Sequence, residues 1–95
     1  MTFVPEPLEA PPTLGASQRA VLVALARPYK GSSGFATPAT NKEIAAEVVL
    51  TVNGVKSIMR ALFQKFGVEQ LPQNEKRARL VQRAFQTGAI SEDDL

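Results

Sequence analysis

Apolar residues along the chain recur at three- and four-residue intervals, the spacing of helices with one buried face, and nowhere alternate as a strand would. In LGASQRAVLVALAR, Val21, Leu22, Ala24 and Leu25 make such a stripe and predict a helix over roughly 15–27. Gly15 or Ser17 can cap it, Gln18 stands three residues beyond Gly15 as in a capping box, and Pro28 is expected to end it. NKEIAAEV carries Ile44, Ala45 and Val48 on one side, predicting a short helix over 41–48 opened by Thr40 and Glu43, a second capping box. After a break at Val49–Leu50–Thr51, a stripe of Val52, Val55, Met59, Leu62 and Phe66 predicts a longer helix over 52–66, capped by Thr51 and stopped by Gly67. The last helix is expected over 75–87, with Asn74 as cap, Leu80, Val81, Ala84 and Phe85 as its apolar side and Gly88 as its stop. The expectation is an all-α, four-helix domain in which the second and third helices form a helix-turn-helix.

The third helix has a second stripe, rotated away from the first: Asn53, Lys56, Ser57, Arg60 and Gln64. All five carry hydrogen-bonding groups and two are cationic. A polar, basic face on the second helix of such a pair suits the major groove of DNA. Gly54 lies within this helix at a cost of about 1 kcal/mol relative to alanine. It is consistent with close approach of the backbone to DNA, and equally with close packing against the second helix or simple tolerance.

The flanks read differently. Residues 1–13 hold Pro5, Pro7, Pro11 and Pro12 and form an extended lead-in, a linker or a strap, with Phe3, Val4 and Leu8 favouring the strap. Residues 28–40, PYKGSSGFATPAT, form a loop longer than the two to eight residues usual between helices. Phe35 is expected to fold back onto the core, whereas Tyr29 and Lys30 suit a phosphate or plain surface equally. GSSG lacks the Lys-Ser or Lys-Thr of a phosphate-binding loop. The domain then runs over 14–90, and 91–95 is an acidic tail expected to fray beyond Ile90.

Charge sharpens the functional expectation. The 95 residues carry a formal net charge of +2, yet all 11 Lys and Arg fall between Arg19 and Arg83, where Glu43, Glu47, Glu69 and Glu75 are the only acids. A basic body between acidic ends fits a polyanionic partner, although many small domains are basic for solubility alone. On the last helix, Lys76, Arg77, Arg79 and Arg83 are open to three readings: a solvated face, a phosphate-contacting edge, or the rim of a subunit contact. There is no cysteine and no histidine, which removes thiolate chemistry, the commonest general base and the commonest metal ligand. No catalytic residue, metal site or cofactor is expected. No apolar run nears the roughly 20 residues that span a bilayer, and MTFVPEPLEAPP does not read as a signal peptide, so a cytoplasmic protein is expected.

LGASQRAVLVAL, KEIA at Lys42–Ala45, the capping Thr51, the Val55–Lys56 pair and the closing KFGV together resemble the four-helix DNA-binding domain of LuxR/NarL-type bacterial transcription regulators, a winged-helix-like superfamily fold, over roughly residues 14–88. That resemblance implies duplex DNA as partner and no enzymatic activity. It places Lys56, Ser57 and Arg60 at base edges and Thr51, Lys42 and Asn53 near phosphates. It also implies a homodimer through the first and last helices, with the exposed apolar part of the fourth as the contact. The chain departs from the family at its long 28–40 loop, at Ile58 or Met59 where the family has a histidine, at Gly54 and Gly15 where it has threonine, and in a last helix about two residues longer. The strings FVP, PL and AP of the lead-in, with ATN, EIA and LPQN, also resemble domains that accompany forkhead-associated phosphopeptide-binding domains in actinobacteria. From this comes the alternative expectation, a helix-turn-helix turned to protein–protein contact through a sticky Ile58–Met59 face.

Overall fold

In the computed structural model, residues 11–31 and 36–95 are described; Phe3, Val4, Leu8 and Phe35 lie outside them. The described residues form helix α1 (Ala16–Ala26), a 3-10 turn (Arg27–Tyr29), α2 (Asn41–Val48), α3 (Val52–Lys65), α4 (Gln73–Thr87) and a closing 3-10 turn (Glu92–Asp94), with no strand among them.

The two threonines set the helix-turn-helix. At α2 the Glu43 amide donates to Thr40 Oγ1 at 3.1 Å and the Thr40 amide to Glu43 Oε1 at 2.9 Å, the full reciprocal box. At α3 the Gly54 amide donates to Thr51 Oγ1 at 2.9 Å. Between them the chain reverses through Val49 at φ 59°, a left-handed conformation, with the Leu50 amide reaching back to the Ala45 carbonyl at 3.0 Å. Gly67 at φ 70° and Gly88 at φ 82° end α3 and α4 in the same backbone region, where glycine carries no Cβ penalty.

The core lies around α1. Val21 through Ala26 are all buried, a solid run where the sequence predicts a single stripe. The reason is that α2 and α3 pack on α1 while α4 and the C-terminal segment close the rest, so no side of this second half of the helix meets water, whereas Ala16, Ser17, Arg19 and Ala20 before it are exposed. At its start the Gly15 amide donates to Gln18 Oε1 at 3.0 Å; glycine having no side chain, only that half of the expected capping box exists. Pro28 does not break the chain away: it sits in the first turn of the 3-10 segment, where a missing N–H costs nothing.

The structure corrects the sequence expectation at three places. Val52 heads the predicted buried stripe of α3, yet it is 39% exposed, while Val55, Met59, Leu62 and Phe63 are buried with Phe66 just beyond. Its angle around the helix is right, but helical side chains lean toward the N terminus, so the first residue of the stripe points past the end of the core layer. The fourth helix begins at Gln73, not after Asn74: the Pro72 carbonyl accepts from the amides of Glu75 and Lys76 at 2.9 and 3.0 Å, and Asn74 is an exposed residue of the first turn. Finally, the acidic tail does not fray beyond Ile90. Ile90 and Leu95 are 2% and 6% exposed, Asp94 pairs with Arg19 at 3.0 Å, and Arg27 Nη1 donates to the Leu95 carbonyl at 2.5 Å. The Gly31 amide donates to Glu92 at 2.8 Å. Local composition reads as solvated; the cations that hold the tail come from the far end of the chain.

Candidate nucleic-acid interface

Helix α3 buries one face against α1 and α2 and turns the other outward. Asn53, Lys56, Ser57, Arg60 and Gln64 are all exposed, as their stripe predicts. Neither Lys56 nor Arg60 makes a hydrogen bond or ion pair with another described residue, so both cations are available to an external partner. Thr51 is exposed at the start of the helix with its oxygen committed to the Gly54 amide, which leaves its O–H to donate outward. Lys42 is exposed on the first turn of α2.

The residues that the alternative expectation relied on lie elsewhere. Met59 is 2% exposed and Ile58 is partly buried against the core, so the pair does not present two open apolar side chains. Gly54 also has a local explanation: a Cβ there would stand 3.2 Å from Thr51 Oγ1 and 4.0 Å from the Leu50 Cβ. The crowding comes from the cap and the turn, not from α2.

The four cations of α4 do not act alike. Arg77 is half-buried: Nη1 donates to Asn41 Oδ1 at 2.8 Å and Nη2 to the Ala39 carbonyl, tying α4 to the start of α2. Burial without a carboxylate partner pushes its guanidinium below its usual pKa. Lys76 sits 5.0 Å from the centroid of the Phe63 ring, a cation–π contact to α3. Arg79 is exposed. Elsewhere, Arg27 pairs with Glu47, whose hydrogen bond raises its pKa, and Lys65 donates to the Thr13 carbonyl and to Gln18, both at 2.7 Å. Much of the central positive charge is therefore engaged within the fold, while Lys56 and Arg60 of α3 face outward, as do Lys30, Lys42 and Arg79 elsewhere.

A groove of about 330 Å³ runs between α3 and α4, bordered by Lys56, Arg60, Lys76 and Arg77, with Phe63 in its wall and Glu69 at its edge. A second, of about 560 Å³, lies on the outer side of α4 between Tyr29, Val81 and Phe85, where burial raises the Tyr29 phenol. Among the described residues no group of three acidic side chains could hold a metal ion, and no helix is long and apolar enough to cross a membrane.

One feature of the region escapes the sequence pattern. Val49, Leu50 and Val52 are 86%, 41% and 39% exposed, and they are the large apolar side chains most open to water among the described residues. All three cluster at the turn and at the N-terminal end of α3. The only sequence signal is a β-branched residue where a tight turn would favour glycine.

No protein-family model, no curated protein and no solved structure matches the chain.

Proposed function

We propose that the chain binds duplex DNA, with α3 lying in the major groove, as a module of bacterial transcription regulation. The observation that carries this reading is the outer face of α3, where Lys56 and Arg60 stand exposed and unengaged by other described residues, interleaved with Asn53 and Ser57. Arg60 can present two parallel donors to guanine O6 and N7, and Lys56 can reach a base or a phosphate. Lys42, Thr51 and Asn53 serve the backbone around them. The resemblance to LuxR/NarL-type domains supports the same assignment, and the fit of a short helix, tight turn and longer helix to the groove supports it physically. In this reading the outer groove on α4 is the face offered to a second copy.

Fluorescence anisotropy against random duplex DNA at two salt concentrations tests it. Binding is expected to weaken steeply with salt, with log K falling about 0.9 per phosphate contact for each decade of salt. Lys56→Ala with Arg60→Ala should abolish binding while the circular dichroism stays helical. Unchanged affinity in that double variant, or no binding at low salt, sinks the reading. The second reading, a helix-turn-helix serving protein contact, is favoured by the exposed Val49, Leu50 and Val52, and a failed DNA titration would turn to it.

A further inference from the structure

Of the exposed aliphatic side chains, Val52 adjoins the cationic row of α3. Val52, Lys56 and Arg60 are four residues apart in turn, so they line one strip of the helix at steps of about 6 Å. Leu50 lies on the Gly54 side of the first turn, where a Cβ on Gly54 would come within 4.0 Å of the Leu50 Cβ, about half a turn of helix away from this strip. Helix α3 carries no acidic residue at all. An apolar end on an otherwise polar, basic strip has one natural counterpart in the major groove, the C5 methyl of thymine, which aliphatic side chains distinguish from the other bases.

We infer that Val52 reads a thymine methyl group at one end of the site whose other positions Lys56 and Arg60 contact. The inference rests on the duplex-DNA reading above and adds to it a base preference. Size supports this occupant over a protein. A stable protein interface buries about 800 Å² on each partner and centres on aromatic or arginine anchors. Three aliphatic side chains fall well short of that, whereas a methyl group is a target of their own dimensions. The placement also accounts for an apolar residue left 39% exposed in the first turn of α3.

The test uses the full chain and the duplex enriched from random-sequence DNA by in vitro selection. Affinity is measured for that duplex as selected and with deoxyuridine replacing each thymine in turn, which deletes one methyl and leaves the pairing intact. At one or two adjacent positions the wild type should lose about fourfold in affinity per methyl removed. Val52→Ser, at an exposed position, should bind the thymine and deoxyuridine duplexes alike. An enriched site without an A·T pair, or equal affinity of the wild type for both duplexes at every position, overturns the methyl reading while leaving DNA binding in place. Sensitivity to deoxyuridine that persists in Val52→Ser moves the methyl contact to another residue and overturns the assignment. Failure to enrich any duplex, with no binding at low salt, overturns the DNA reading itself.

Discussion

Val49 is the residue of the turn that the fold uses against its own preference. It adopts φ 59° with its side chain 86% exposed, so it bears the cost of the left-handed conformation and gains almost no burial in return. For an L-residue that conformation costs about 1–2 kcal/mol, and a β-branched side chain stands at the upper end because both γ-carbons crowd the backbone. Val49→Gly removes this penalty. Against it stands the larger freedom of glycine in the unfolded chain, about 0.5–1 kcal/mol. The backbone bonds of the turn, from the Val49 and Leu50 amides to the Ala45 carbonyl, do not involve the side chain and persist. The net expectation is a gain of about 0.5–1 kcal/mol, seen as a rise in Tm of about 2–8 °C for a domain of this size. Urea denaturation should move to a higher midpoint at constant m, because the surface exposed on unfolding is unchanged. Val49→Ala keeps a Cβ in the same conformation and should recover only part of the gain. A Val49→Gly variant less stable than the wild type would refute the reasoning, and would mean that the valine side chain is held by a contact the fold does not display.

Two further outcomes follow from the polar ties between distant elements. Arg77→Ala should lose about 1–3 kcal/mol in chemical denaturation, because Asn41 Oδ1 and the Ala39 carbonyl lose their donors together; Arg77→Lys should restore little, having no fork to reach both. Asp94 accepts from the Ser91 amide and then from Arg19, which together hold its carboxyl below its ordinary value of 3.8. A depressed native pKa adds stability above 3.8 that is lost as pH falls through the lower native value. Asp94→Asn should flatten that acid limb, with NMR titration of the Arg19 side chain following the release of the tail.

The helices were legible in the sequence because each is framed by local chemistry. Thr40 with Glu43, Thr51, Gly67 and Gly88 are all readable from neighbours within a few residues, and each does in the fold what its position implies. The polar stripe of α3 was legible for the same reason: a period of 3.6 assigns faces without knowledge of what covers them. What escaped depends on distance along the chain. Arg19 and Asp94 are 75 residues apart and Arg77 and Asn41 are 36 apart, so neither pairing leaves a local mark. The acids of the tail therefore read as solvated. The sequence leaves the cations of α4 open between a solvated face, a phosphate-contacting edge and the rim of a subunit contact, none of which is the internal role of Lys76 and Arg77. The exposure of Val52 escaped for a geometric reason, since periodicity gives an angle around a helix and says nothing about where the core layer ends.

Helix α1 has a consequence for how such a chain can be traced through evolution. With Val21 through Ala26 all buried, its second half has no face on which substitutions accumulate without disturbing a neighbour. It is therefore the most constrained stretch of the chain, yet what it must keep is a run of Val, Leu and Ala that helical cores of many kinds share. The residues that would distinguish this chain lie on surfaces such as the outer face of α3, where packing imposes nothing. Constraint and distinctiveness thus fall on different helices, and a chain built this way can keep its architecture long after its sequence has stopped announcing it.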